Sequence, residues 1–256
     1  ISGVFAFPAD DNYHAFVAAV ADFFMVEPIT LHHRIVQQLH TPPKADEAAL
    51  LRQGYEGPTE ELDALAPIHR TSNITFSDEQ QTVINALAPQ VQTGGYAPTL
   101  LQGVTGSGKT EVYKQLIITA INTQKTTICL FPEVTLALQF ETIFKQQLPF
   151  PERIFSFHST TKVSEKKKLW NMLLSKTPVV ILGVHLPILL PIANLGLILV
   201  DEEHERGFQE KRHPKMNSKE LALWRAKTYN CPIILGSATP SLSTLHAAKT
   251  GKIAHY

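Results

Sequence analysis

Gly103-Val104-Thr105-Gly106-Ser107-Gly108-Lys109-Thr110 fills every position of the pattern G-x-x-x-x-G-K-[ST]. In a loop of this kind backbone N–H groups wrap the phosphates of a nucleotide, the lysine reaches the β- and γ-phosphates, and the threonine hydroxyl holds Mg²⁺. The chemistry asks for a strand before the loop and a helix after it. Pro98-Thr99-Leu100-Leu101 reads as a short apolar strand, and Val112, Leu116, Ile117 and Ile121 recur at helical spacing behind Lys109. A glycine-rich turn between unrelated elements is the plain alternative, and that flanking order speaks against it.

Outward from the loop, strand and helix alternate. Apolar runs at 126–131, 153–157, 179–182, 197–200 and 233–235 predict strands, with helical spacing between them, as in Leu136, Leu138, Ile143 and Phe144. Runs this continuously apolar suit strands covered on both faces, which predicts an α/β fold: a central parallel sheet flanked by helices. Ser218 is the expected N-cap of a helix carrying Leu221, Leu223 and Trp224. Ahead of the sheet, 14–24 predicts an aromatic-rich helix and 31–39 a second one. Residues 41–70 hold Pro42-Pro43, Gly54, Gly57-Pro58 and Pro67 among short apolar runs, the composition of a linker or a pared-down small domain. The expected division is a small, mostly helical N-terminal segment with linker over 1–70 and an α/β lobe over 71–256.

The run Leu197-Ile198-Leu199-Val200 ends in Asp201-Glu202-Glu203-His204. Acids at the C-terminal end of a buried strand sit where parallel sheets bind ligands. Beside a phosphate loop, one aspartate can hold Mg²⁺ while a neighbouring carboxylate orients or deprotonates the attacking water. A solvated loop after a strand is the bland reading. His204 closes the quartet, and the strand at 233–235 runs on into Gly236-Ser237-Ala238-Thr239-Pro240, whose hydroxyls could reach it. A histidine bonded on both sides in this way would report phosphate state to the rest of the molecule. Lys166-Lys167-Lys168 reads as a solvated helix face.

Bulk properties exclude other classes. The 256 residues, 44% of them apolar, suffice for a conventional buried core, and 23 basic side chains balance 23 acidic ones. No global field therefore draws nucleic acid or membrane to the surface, and strand binding would need local patches. Cys129 and Cys231 lie in apolar runs, so neither a disulfide nor a zinc site is indicated. There is no run of eighteen apolar residues, and Ile1-Ser2-Gly3 is neither an initiator methionine nor a signal peptide. The expectation is a fragment of a cytoplasmic protein, monomeric and without membrane contact.

In combination, phosphate loop, acidic quartet and Ser237-Ala238-Thr239 resemble the superfamily 2 helicases in motif and order. More narrowly, the string running from Gly103 through Glu111-Val112-Tyr113, with Phe131-Pro132-Glu133, His158-Ser159, Asn194 through His204, and Gly236 through Ser241, resembles the bacterial replication-restart helicases of the PriA (primosomal protein N′) family. The resemblance covers about 76–245, and the first forty residues are weakly similar to the end of that family's N-terminal DNA-binding region. It implies the first of two RecA-like lobes. It also implies ATP and Mg²⁺ as cofactors, 3′ to 5′ movement on single-stranded or forked DNA, and reloading of the replisome with other replication-restart proteins as partners.

Residue roles follow from the same resemblance. Gly103, Thr105, Gly106, Ser107, Gly108, Lys109, Thr110 and Glu111 would surround the nucleotide, with Gln80 at the adenine. Thr110 and Asp201 would hold magnesium, Lys109, Asp201 and Glu202 would carry catalysis, and His204 with Ser237 and Thr239 would couple. Pro132, Glu133, Gln139, His158 and Ser159 match segments lining the DNA track, and His185 falls in one. The sequence departs from the family at 183–186, where Gly183-Val184-His185-Leu186 replaces an arginine and two hydroxyls, and at 205–217, where Phe208, Pro214, Met216 and Asn217 stand in a loop usually richer in aromatics. The family's second lobe, arginine finger and zinc-binding cysteines are not found in this stretch. The rival readings are another superfamily 2 DNA-dependent ATPase, such as a repair or restriction translocase, and a non-catalytic nucleotide-binding scaffold.

Overall fold

A computed structural model describes residues 10–40, 76–211 and 214–256. Its strands are β1 (Pro98–Gln102), β2 (Thr126–Leu130), β3 (Ile154–Ser156), β4 (Val180–Gly183), β5 (Leu195–Val200), β6 (Ile233–Ser237) and β7 (Ala254–His255). The described helices are α1 (Asp11–Phe24), α2 (Pro28–His40), α3 (Asp78–Thr93), α4 (Lys109–Asn122), α5 (Val134–Gln147), α6 (Val163–Leu174), α7 (Ser218–Tyr229) and α8 (Leu242–Lys249). One sheet runs β3-β4-β2-β5-β6-β1-β7, and every neighbouring pair is parallel. The five strands expected after the loop are all present, shifted by a residue or two at their ends. β7 adds two residues at the edge, too short for any apolar pattern to announce.

Alternation along the strands divides the sheet between two cores. Ile198 and Val200 of β5 face one, with Ile128 and Leu130 of β2, while Leu197 and Leu199 face the other with Cys129. Helices α3, α4 and α5 cover the second core; α1, α2, α6 and α7 contribute to the first. Both faces buried is why these strands read as unbroken apolar runs. Cys129 and Cys231 are buried free thiols.

The N-terminal helices belong to the first core. Tyr13, Phe16, Val17 and Val20 of α1 and Leu31, Ile35 and Leu39 of α2 are buried in it. Arg225 of α7 anchors α1: fully buried, it donates to the carbonyls of Ile188 and Leu190 and stands over the rings of Tyr13, Phe16 and Tyr229 at 5.8, 5.4 and 5.1 Å. Burying each large apolar side chain contributes about 1.5–3 kcal/mol, which ties both helices to the sheet. Among the described residues no single helix is long and apolar enough to cross a membrane, although α1 with most of α2, bent by 111°, passes that test as a pair. The division expected near residue 70, and the linker before it, lie outside the described residues.

Two local expectations are corrected. Asn217, not Ser218, caps α7, accepting from the N–H groups of Lys219 and Glu220; the Ser218 hydroxyl instead donates to the Phe208 carbonyl. Lys166 is not on a solvated face. It is buried, and its ammonium donates to the carbonyls of Gln38 in α2 (2.9 Å) and Ser159 (3.3 Å), with burial lowering its pKa.

Candidate nucleotide and strand site

β1 delivers the chain into the glycine-rich loop and α4 begins at Lys109, so the loop's N–H groups gather at a helix N-terminus. Gly106 and Gly108 take φ of +81° and +82°, a left-handed conformation that side chains resist. A Cβ at Gly108 would stand 2.0 Å from Gln80 Nε2. Gln80 uses that amide to donate to the Ser107 carbonyl at 3.0 Å, and its Oε1 accepts the Ser77 N–H in a capping box that starts α3. Gln80, expected at an adenine, braces the loop through this bond. The Lys109 ammonium donates to the Gly103 carbonyl at 2.7 Å, and the Gly103 N–H donates to the Ser237 carbonyl at 3.1 Å. Thr105 and Ser107 are exposed, Thr110 follows Lys109 on α4, and Glu111 pairs with Lys114 at 2.6 Å.

At the end of β5, Asp201 is buried and its Oδ1 accepts from the Tyr113 hydroxyl at 2.9 Å. Burial raises the Asp201 pKa against the lowering effect of that bond, and the Glu202 charge raises it further. Glu202 has φ +49°. The other described non-glycine residues at positive φ, Met25, Gln124, Lys176 and Asn230, follow helix ends, where this conformation is common. Glu202 alone among them leaves a strand that way, at about 1–3 kcal/mol, the kind of outlier that collects at functional sites. Its Oε2 lies 3.5 Å from His204 Nδ1. His204 in turn meets the Ser237 hydroxyl through Nδ1 at 2.8 Å and the Thr239 hydroxyl through Nε2 at 3.2 Å. The ends of β1, β5 and β6 thus bring together Lys109, Asp201, Glu202, His204, Ser237 and Thr239.

The strand-track candidates are scattered differently. His158, Ser159 and His185 line one cleft of about 540 Å³ at the ends of β3 and β4, whose far wall is α2, with His33, Arg34 and Gln37. Glu133 and Gln139 are exposed on or beside α5 and do not line it, nor does Pro132. His158 is buried, its Nδ1 2.7 Å from the Thr160 hydroxyl, and burial lowers its pKa to about 4, with Lys166 adding to that and Glu141 opposing it. His185 is half-buried against the Ser218 hydroxyl at 3.1 Å; burial lowers its pKa, Glu210 opposes that and Arg34 adds to it. In both, burial favours the uncharged ring. In the divergent 205–217 segment, Phe208 and Met216 are core residues, and Glu210 is paired with Arg34 at 2.6 Å.

Four contributors escaped sequence reasoning. Tyr113 entered only as part of a motif string, and Gly236 only as the start of another; nothing local says that they meet Asp201. Glu203, third in the acidic run, is buried and accepts from the Lys219 ammonium, the Ser241 N–H and the Thr244 hydroxyl. Arg34 lies in a helix with no motif. The magnesium expectation fits what is present, since the Thr110 hydroxyl and Asp201 carboxylate are hard oxygen donors, and Mg²⁺ characteristically takes one or two protein oxygens beside phosphates and water.

Phosphate loop at a helix start, acids at the end of β5 and a parallel sheet between helices define a RecA-like nucleotide-binding lobe. The chain belongs to the DEAD/DEAH box helicase family, whose model matches residues 77–248. It is similar to replication restart protein PriA of Bacillus subtilis, at 33% identity over 80% of this chain and 25% of that protein. The PriA of Chlamydia muridarum is 37% identical over 70% of this chain and 24% of the relative. The chain thus spans about a quarter of the length of these relatives. Among solved structures, the helicase MrfA superposes with a TM-score of 0.51 at 18% identity, covering 74% of this chain and 31% of that one, a likeness of fold. The family uses nucleotide and Mg²⁺ and acts on nucleic acid.

Proposed function

We propose that this chain is the ATP-binding lobe of a PriA-type DNA helicase that moves 3′ to 5′ and serves replication restart and primosome assembly at stalled forks. The observation that carries the reading is the meeting of Lys109, Asp201, Glu202 and His204 at the ends of β1 and β5. Lys109 would draw in the β- and γ-phosphates, the loop N–H groups would wrap them, and Thr110 with Asp201 would hold Mg²⁺, which neutralises phosphate charge. Glu202, turned out of the strand direction, would orient and deprotonate the attacking water. His204, bonded to Ser237 and Thr239 on β6 and its exit, would pass phosphate state to that segment.

Single-stranded or forked DNA would cross the cleft holding His158, Ser159 and His185, with Pro132, Glu133 and Gln139 beyond its rim. Two uncharged histidines there favour hydrogen bonding over ion pairing with phosphates. Residues 1–70 would be the remnant of a DNA-binding region and 71–256 the lobe proper; the working protein would be a cytoplasmic monomer. ATPase measurement on the full-length protein with and without forked DNA tests the reading. DNA-stimulated turnover lost in Lys109→Ala is the expected result; nucleotide binding without turnover under any condition would favour a scaffold.

A further inference from the structure

Tyr113 lies one helical turn beyond Lys109 and three residues beyond Thr110, so α4 carries a phosphate-reaching lysine, a metal-reaching hydroxyl and a phenol on one rigid frame. The ring is buried, and its hydroxyl reaches across 88 positions of sequence to Asp201 Oδ1 at 2.9 Å. The contact is made possible by a missing side chain on a third element. A Cβ at Gly236 in β6 would stand 1.7 Å from the Tyr113 hydroxyl oxygen and 3.1 Å from Asp201 Oδ1.

We infer that Tyr113 is a positioning residue for the Asp201 carboxylate: its hydroxyl fixes the carboxylate plane relative to α4, and Gly236 is the gap that admits it. The inference rests on the reading of Asp201 as a magnesium ligand. A phenylalanine at 113 would fill the ring's space with no buried polar partner. The hydroxyl needs one, since an unpaired buried hydroxyl costs about 1–3 kcal/mol, and its oxygen makes the tightest approach to a Cβ at 236, 1.7 Å against 3.0 Å for the ring carbon. A purely packing role does not explain the bond to Asp201. Bonds from a neighbouring group to a ligating carboxylate set its orientation, and their loss commonly weakens metal affinity about 10–100-fold.

The test compares ADP affinity in excess Mg²⁺ with ADP affinity in EDTA, by calorimetry on the full-length protein. Tyr113→Phe should weaken Mg-ADP about 10-fold or more and leave metal-free ADP within about twofold, which also shows that the variant is folded. Gly236→Ala, whose methyl would stand 1.7 Å from the hydroxyl oxygen and 3.1 Å from Asp201 Oδ1, should produce a metal-specific loss at least as large. Equal losses with and without metal, or no loss in Tyr113→Phe, would each overturn the role. Asp201→Asn separates the two layers. If it keeps the magnesium dependence, the metal assignment itself is wrong; if it loses that dependence while Tyr113→Phe keeps it, only the positioning role is wrong.

Discussion

Glu203 is buried at the centre of the acidic quartet, and its Oε2 lies 2.9 Å from the Lys219 ammonium on α7. The Ser241 N–H and hydroxyl and the Thr244 hydroxyl, at the start of α8, also donate to it. It joins the turn after β5 to two helices.

Burial alone would raise the Glu203 pKa, but the Ser241 N–H, the Lys219 ammonium and the Thr244 hydroxyl outweigh it and hold the carboxyl below its ordinary value of 4.5. A group depressed in the folded state contributes stability that is present above its unfolded pKa and is lost as pH falls through the folded one. Glu203→Gln should therefore cost about 3–5 kcal/mol at pH 7, the usual result of stranding a buried ion-pair partner. Urea unfolding should show the gap to the parent closing below pH 4.5. A constant gap across that range would mean that the charge is not what Glu203 contributes.

Binding and chemistry should separate at Lys109 and Glu202. Lys109→Ala removes the cation at the loop and should abolish detectable nucleotide binding. Glu202→Gln keeps shape and loses the base, so nucleotide should bind normally while turnover falls about 10²- to 10⁴-fold. Calorimetry alongside phosphate release checks both, and near-normal turnover in Glu202→Gln would remove it as the base.

His158 makes a second pH-dependent contribution. Its folded pKa is about 4 against an ordinary 6.5, chiefly from burial. As pH falls through that interval the unfolded chain takes up a proton that the folded chain refuses, so stability drops with pH, by at most about 3–4 kcal/mol. His158→Gln should flatten the stability profile between those two pH values; an unchanged slope would place the imidazole in contact with solvent.

Arg34 and Glu210 pull His185 in opposite directions. Arg34→Ala removes a cation that lowers the His185 pKa, and Glu210→Gln removes an anion that raises it. NMR titration of the His185 ring should therefore move upward in the first variant and downward in the second. Shifts of the same sign would show that α2 does not sit beside His185 in solution.

The sheet was legible because its strands, covered on both faces, carry unbroken apolar runs, and the loop because its chemistry lies in eight consecutive residues. The pairing of His204 with Ser237 and Thr239 was foreseeable, since both strand ends had been recognised. Where reading failed, the deciding partner was remote. Lys166, in a run of three lysines, looks solvated until α2 places the Gln38 carbonyl over it, 128 positions away. Sequence by itself determined the strand, glycine-rich loop and helix around Gly103–Thr110 and the acids at the end of β5, because residue type and near-neighbour spacing govern both. Only the tertiary structure decided how the carboxylates are held, and that α2 forms the far wall of the cleft. Those outcomes depend on which burial and hydrogen-bond partners distant segments supply, and a linear pattern carries no record of them.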